Sequence, residues 1–145
     1  MAGSSKYGET GVDVSKTGIE VFEAAIENLY PEAFCPIQQD PDNPELGIVT
    51  HTDGAGSKPV QNYLHARMTG NAGWLEGISQ DVVQMNHGDL QCVGAYPTSF
   101  VDYVAINPLV VSKKETLAAL SRGFAKTFST LRRYGINVPF AGGET

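Results

Sequence analysis

The sequence predicts an α/β domain of the α+β type, with a mixed sheet of about four strands and helices packed on one face. Helical and strand patterns follow one another in the order helix, strand, helices, strand, helix, strand. Hydrophobic residues make up 41% of the chain and charged residues 18%, so a packed core is expected. The length of 145 residues suits one domain. We therefore expect a flexible, glycine-containing arm over residues 1–16 and a single domain over 17–145.

Apolar residues at helical spacing predict the helices. The pattern favours one helix over residues 16–30, a short one over 59–69 and a longer one over 73–94. A last helix follows Ser112, which can cap it with Glu115 as the capping-box partner. Its apolar stripe, which we interpret as core, consists of Leu117, Leu120, Phe124, Phe128 and Leu131.

Runs of β-branched and aromatic residues predict the strands. They cover residues 46–52, 97–108 and 136–145, and a proline-rich loop over 31–47 precedes the first. The chain stops at Thr145 directly after a strand has led into Gly-Gly-Glu-Thr. A domain seldom ends on such a loop, so we expect the chain to be part of a longer protein.

Charge and composition exclude several classes of function. The formal net charge is −6, and without clustered cations the chain is not expected to bind nucleic acid. No apolar run is long enough for a bilayer span and no signal-peptide core is present, which favours a cytoplasmic protein with no membrane partner. Cys35 and Cys92 have no metal-type spacing and are expected to be reduced thiols.

The stretch IVTHTDGAGSKPV, residues 48–60, contains a carboxylate, two glycines and an ammonium between a strand and a helix. It does not match a P-loop, and Pro59 stands where a dinucleotide fingerprint has its third glycine. Backbone N–H groups near a helix N-terminus nevertheless attract anions, Asp53 could hold Mg²⁺ and Lys58 could neutralise a phosphate. The alternative is a strand-to-helix turn that Asp53 caps. The loop by itself leaves both interpretations open.

Further acids point in the same direction without deciding the question. Asp81 and Asp89 are eight residues apart on a predicted helix, so about 80° separates them around its axis. Glu144 follows two glycines at the end of a strand. These acids either converge on magnesium, which prefers few carboxylates completed by water and phosphate, or they are caps and surface acids. The histidines have no zinc spacing, and the sequence identifies no catalytic residue.

Four strings occur together in the order of one known family. YGETGVD, THTDGAGSK, GISQDVVQMNHGDLQCVGAYP and FAGGET span residues 7–145. The chain resembles the N-terminal, ATP-binding domain of aminoimidazole ribonucleotide synthetase, also called phosphoribosylformylglycinamidine cyclo-ligase. The resemblance implies an ATP-dependent ligase of purine biosynthesis that closes the ring of formylglycinamidine ribonucleotide to give aminoimidazole ribonucleotide.

The resemblance also implies site residues, cofactors and a partner. ATP and Mg²⁺ would be the cofactors, with Asp53, Asp89 and Glu144 around the metal and the phosphates. A homodimer through the sheets is implied, and SFVDYVAINPLVV supplies apolar residues in both strand registers. The remaining positions that match nucleotide-binding motifs are Gly54, Gly56, Lys58, Asp81, Gly142 and Gly143.

Two alternatives remain at this point. One is a related ATP-using enzyme of the same superfamily, of the thiamine-monophosphate kinase, selenophosphate synthetase or hydrogenase-maturation type. The other is a non-catalytic dimerisation or nucleotide-binding module. The isolated chain is expected to be inactive as a cyclo-ligase, because the family's C-terminal half would complete the site.

Overall fold

A computed structural model describes residues 18–145, which fall into two compact units divided after Ile48. The first unit contains a 3-10 helix, Ile19–Ala25, and an antiparallel pair of short strands, β1 (Gln38–Gln39) and β2 (Gly47–Ile48). The sequence predicts a helix over 16–30, but only a 3-10 segment forms within it. Its side chains Ile19 and Phe22 are more than half exposed, so burial contributes little to extending it. The predicted arm over 1–16 lies outside the described residues.

The second unit, residues 49–145, contains the three α-helices and a parallel pair of strands. The helices predicted over 59–69, over 73–94 and after Ser112 are confirmed, and Ser112 Oγ accepts a hydrogen bond from the Glu115 N–H at 3.4 Å. The elements are α1 (Lys58–Thr69), a 3-10 helix (Ala72–Glu76), α2 (Gly77–Cys92), β3 (Phe100–Tyr103), α3 (Lys113–Arg133) and β4 (Phe140–Glu144).

The sheet differs from the expectation of about four strands. The described residues form two separate sheets of two strands each, β1 with β2 and β3 with β4. The strand predicted over 46–52 ends at Ile48, because the chain beyond it is bonded differently. Among residues 18–145, the backbone of Asp53 is held by the side chain of Asn86 on α2 and not by a neighbouring strand. The mixed α/β class is therefore confirmed, and the single four-stranded sheet is not seen in this part of the chain.

Aromatic side chains between α3 and the β3–β4 pair form the centre of the core. Phe100 of β3 lies 5.6 Å from both Phe124 and Phe128 of α3, measured between ring centroids. Phe140 of β4 lies 5.1 Å from Phe124. Such tilted ring pairs add to the stabilisation by burial. The predicted stripe is confirmed, and the buried core cluster is Val83, Phe100, Leu120, Phe124, Phe128 and Val138.

Helix α2 packs closely on α3 at one glycine. Gly123 of α3 is buried, and a Cβ there would overlap the carbonyl oxygen of Glu76 and the side chain of Ser79. Ser79 is fully buried, and its hydroxyl donates a 2.8 Å hydrogen bond to the Leu120 carbonyl. Next to this contact, Arg122 Nε lies 2.7 Å from Glu76 Oε1. The contact fixes where α2 lies on the core.

The cysteines and the lengths of the helices relate to two expectations from the sequence. Cys35 is buried and Cys92 is exposed, and both are thiols. Between residues 18 and 145, no helix combines the length and the apolar character that crossing a bilayer requires.

We expect Gly123→Ala to destabilise the protein by about 1–3 kcal/mol, because the added methyl must displace the Glu76 backbone or the Ser79 side chain. Chemical denaturation of the wild type and the variant, monitored by far-UV circular dichroism, measures this difference.

Gly88→Ala is the matched control, since Gly88 also lies inside an α-helix but a Cβ there meets only the flexible end of Gln84 at 3.5 Å. Its effect should stay within about 1 kcal/mol and should favour the folded state. Equal effects of the two substitutions would contradict the close helix contact.

Candidate functional site

The glycine-rich loop leads directly into the N-terminus of α1. Gly56 has φ 61°, a conformation that favours glycine, and Lys58 begins the helix. Ser57 occupies the cap position without a side-chain hydrogen bond to the helix, and Pro59 has no N–H to donate. The first turn therefore presents backbone donors that Ser57 does not cap. Such a helix end is suited to an anion.

Asn86 of α2 holds this loop at Asp53. Its Oδ1 accepts a hydrogen bond from the Asp53 N–H at 2.9 Å, and its Nδ2 donates to the Asp53 carbonyl at 2.9 Å. The same Nδ2 also donates to the Val82 carbonyl at 2.9 Å, which fixes the amide against its own helix. The side chain thus replaces a neighbouring strand for one residue. We call this arrangement the Asn86 clamp.

One helical turn further along α2, a second link reaches the same segment. Asp89 Oδ2 lies 2.8 Å from His51 Nε2, and both side chains are mostly buried. His51 and Asp53 thus both contact α2 through different atoms, His51 through its imidazole and Asp53 through its backbone. The sequence-based prediction gives no role to Asn86 or His51. The sequence signal that points to the clamp is the position of Asn86, a polar residue one helical turn before Asp89.

The three acids predicted around a metal have different surroundings. Asp53 is exposed, and its Oδ1 accepts a 2.7 Å hydrogen bond from the N–H of Gly54. Asp89 faces His51, and Glu144 Oε1 accepts a 2.9 Å hydrogen bond from the Thr145 N–H. Within residues 18–145, no three His, Cys, Asp or Glu side chains are grouped closely enough to hold a metal ion by themselves. A cation here would need further oxygen ligands, which magnesium commonly takes from phosphate and water.

Asp81 lies in a different place from the other predicted acids. Eight residues separate it from Asp89 on α2, which corresponds to about 12 Å along the helix axis. Asp81 lines a surface groove that is formed by α1, the second 3-10 helix and the start of α2. The groove has a volume of about 530 Å³ and is lined by Asn62, Asn71, Trp74, Gly77, Gln80 and Asp81.

The glycines of the C-terminal Gly-Gly-Glu-Thr have structural reasons to be there. Gly142 has φ 141°, which favours glycine, and a Cβ on Gly143 would collide with the carboxylate of Asp102. Asp102 pairs in register with Gly143 across the β3–β4 pair. Desolvation raises the pKa of Asp102, and a hydrogen bond from its own backbone opposes that rise. The sequence-based prediction did not include Asp102, although it lies two residues after the buried Phe100 and therefore on the same face of β3.

His87 is a second polar residue that the assignment passed over. It is buried on α2, and its Nε2 has no hydrogen-bond partner among the described residues. Burial lowers the pKa of His87, so the imidazole is neutral at physiological pH. A neutral imidazole is the form that a buried site without a charged partner favours.

An α/β unit with a glycine loop at a helix N-terminus and acids beside it is typical of nucleotide-using enzymes. Residues 35–145 match the family described as AIR synthase related protein, N-terminal domain. The chain belongs to this family.

Several relatives carry the name phosphoribosylformylglycinamidine cyclo-ligase. The protein of Methanococcus vannielii is 32% identical over 99 residues, covering 68% of this chain and 24% of the relative. That of Saccharolobus solfataricus is 41% identical over 61 residues, covering 42% and 17%. That of Sulfurisphaera tokodaii is 26% identical over 145 aligned residues, covering 97% and 40%. The chain thus spans between about one sixth and two fifths of the relatives it matches.

We expect Asn86→Ala to free the loop from α2 and to destabilise the fold by roughly 1–3 kcal/mol, because the Asp53 backbone loses both partners. Amide hydrogen exchange should rise at residues 51–56 more than in α3. Mass spectrometry of exchanged peptides measures this pattern.

Gln84→Ala serves as the control, since Gln84 is exposed on the same helix. It should change neither stability nor exchange of the loop. Unchanged exchange at Asp53 in the Asn86 variant would show that the clamp does not hold the loop.

Proposed function

We propose that this chain is the ATP-binding, N-terminal part of a cyclo-ligase that converts formylglycinamidine ribonucleotide into aminoimidazole ribonucleotide in purine biosynthesis. The observation that carries the proposal is the family match over residues 35–145 together with relatives that share the cyclo-ligase name. The partner is a small-molecule substrate, with no role for nucleic acid or membrane. We place the enzyme in the cytoplasm.

The glycine loop and the start of α1 are suited to the ATP phosphates. Gly54 and Gly56 add no side chain that would keep a phosphate away from the backbone, and Lys58 supplies one positive charge at the helix N-terminus. The Asn86 clamp fixes the backbone position of Asp53. Because the loop is held before any ligand arrives, less conformational entropy is lost on binding. Gly142 and Gly143 are assigned to the same nucleotide through the family motif.

Magnesium would be held by few protein atoms. Asp53 is the best candidate ligand, because its carboxylate is exposed and already oriented by the Gly54 N–H. Asp89 and Glu144 are proposed to share this role by motif position. When bound, the ion would neutralise phosphate charge, which is the main electrostatic requirement of phosphoryl transfer. The pair His51–Asp89 keeps Asp89 directed toward the loop segment.

The reaction itself needs two bond changes at one carbon. The γ-phosphoryl group of ATP moves to the formyl oxygen, and ADP is released. An amidine nitrogen then forms the ring bond to the formyl carbon, and the oxygen leaves with the phosphate while a proton is lost. The proposed contribution of this chain is to position the triphosphate, since positioning is a large share of catalysis in such transfers.

The outer face of the β3–β4 pair is suited to self-association. Val101 and Tyr103 point away from the helices and are 66% and 75% exposed. Two parallel strands with an uncovered apolar face are unusual in a stable protein. We propose that a second copy covers this face in a homodimer, and that in the assembly the sheet reaches about four strands with helices on one side.

The function is tested with the chain and with a chimera in which it replaces the aligned part of the Sulfurisphaera tokodaii relative. Calorimetry should detect Mg²⁺-dependent ATP binding by the chain, weakened about tenfold or more by Asp53→Asn, since a hard cation loses an anionic oxygen. The chimera should form aminoimidazole ribonucleotide, and the same substitution should reduce that rate.

Asp42→Asn is the matched control, because Asp42 is an exposed loop acid in the first unit. It should alter neither ATP binding nor turnover. A folded chimera that binds ATP yet never forms product would instead favour a nucleotide-binding module. Loss of ATP binding in the wild-type chain would contradict the proposal as a whole.

The homodimer gives a separate prediction. Wild-type chain should sediment as a dimer at micromolar concentration, and Val101→Ser with Tyr103→Ser should raise the dissociation constant about tenfold or more. Val60→Ser on the exposed side of α1 is the control for lost surface hydrophobicity. Sedimentation of the wild type only as a monomer would exclude this interface.

A further inference from the structure

The groove between α1, the second 3-10 helix and α2 is separate from the glycine loop and its acids. Its volume of about 530 Å³ lies in the range of small-molecule sites. The side chains of Asn62, Gln80 and Asp81 line it and make no hydrogen bond to any described residue. The groove therefore offers polar groups that residues 18–145 leave available to a ligand.

The chemistry of these groups excludes one class of ligand and favours another. The lining contains one carboxylate and several carboxamides but no lysine, arginine or histidine. A phosphate or carboxylate would thus meet the charge of Asp81 without compensation. A ligand with N–H donors and a positive charge would instead pair with that carboxylate and with amide oxygens.

An aromatic wall adds a preference for a planar group. Trp74 is 43% exposed, and its ring stacks on His65 with centroids 4.7 Å apart and planes 23° from parallel. The stacking orients the indole. An indole and a carboxylate that line one groove are a favourable setting for a flat cation, which can lie against the ring and donate to the oxygens.

Gly77 keeps part of the groove open. It lines the groove at the start of α2 with φ −62°, and an added Cβ would lie 3.5 Å from Asn62 Nδ2. An alanine there fits the helix without strain and occupies space that a ligand would otherwise take. The position therefore allows the groove to be narrowed without disturbing the fold.

From these observations, we infer that the groove binds a planar amidinium group, held by the Asp81 carboxylate and the indole of Trp74. The inference rests on the proposed function, whose substrate carries an amidine, and it assigns that end of the substrate to this chain. Lys58 and Asn62 are four residues apart on α1, so the groove begins one helical turn from the loop proposed for the phosphates. Asp81 is then a substrate-binding residue and not a nucleotide ligand.

The test uses acetamidinium and acetamide, which have nearly the same shape but differ in charge, at matched ionic strength. Trp74 is the single tryptophan of the chain, so its fluorescence and its indole N–H resonance report on the groove alone. Acetamidinium should bind saturably and about tenfold more tightly than acetamide. It should also shift the side-chain amide resonances of Asn62 and Gln80.

Three variants sharpen the result. Asp81→Asn should remove the preference for acetamidinium, and Gly77→Ala should weaken binding while the melting temperature stays the same or rises. Asp42→Asn removes an exposed acid that is distant from Asp81 in the sequence. It should change neither the affinity for acetamidinium nor the preference over acetamide. Acetamidinium shifts spread over many acids, or unaffected by Asp81→Asn, would overturn the inference.

The inference and the proposed function fail separately. Formylglycinamidine ribonucleotide should shift the same Trp74 signal in the chimera, and the amide analogue should do so more weakly. Binding and turnover without a Trp74 response would refute the groove and leave the cyclo-ligase intact. A Trp74 response to acetamidinium in a chain that does not bind Mg·ATP would contradict the proposed function and leave an amidinium site.

Discussion

The contact between α2 and α3 at Gly123 determines where the proposed ligand-binding groups on α2 lie. The glycine removes the side chain that would separate the helices, and Ser79 fills the contact with a hydroxyl bonded to Leu120. Helix α3 is in turn fixed by its phenylalanines against β3 and β4. Because α2 carries Asp81, Asn86 and Asp89, a shift at this glycine would move all three together. The packing of α2 in the core therefore sets the positions of these three side chains at the surface.

Helix α2 organises two different surfaces along one axis. Near its start, Asp81 and Gly77 line the amide-rich groove, and near its end Asn86 and Asp89 reach the His51–Asp53 segment. The separation of about 12 Å is too long for one phosphate group and short enough for one substrate to contact both. A rigid helix keeps that distance constant. This geometry is what allows the proposed nucleotide and the proposed amidinium group to be bound separately on the same element.

The acids of the second unit differ in their partners and in their burial, and this difference is its main electrostatic feature. Asp89 faces His51, whereas Asp102 is desolvated enough to raise its pKa, and Asp81 has no ion-pair partner among residues 18–145. Burial keeps His87 neutral. With a formal net charge of −6, the chain has more carboxylates than its own cations neutralise. A bound cation lowers the electrostatic free energy of carboxylates that lack a positive partner. This agrees with the proposed site for magnesium and with the proposed site for a planar cation.

The sequence by itself determined the elements whose signals are local. The stripe of Leu120, Phe124 and Phe128 and the Ser112 cap are set by spacing and backbone preference within one segment, and they agree with the structure. The motifs also located the acids that were assigned to the nucleotide, and those roles stay predictions. Only the tertiary structure decided that the segment after Ile48 bonds to Asn86 instead of a strand, and that Asp81 faces a groove with Trp74. It also placed Asp102 against Gly143. Each of these contacts joins residues more than 30 positions apart or on different elements, and periodicity carries no information about such pairs.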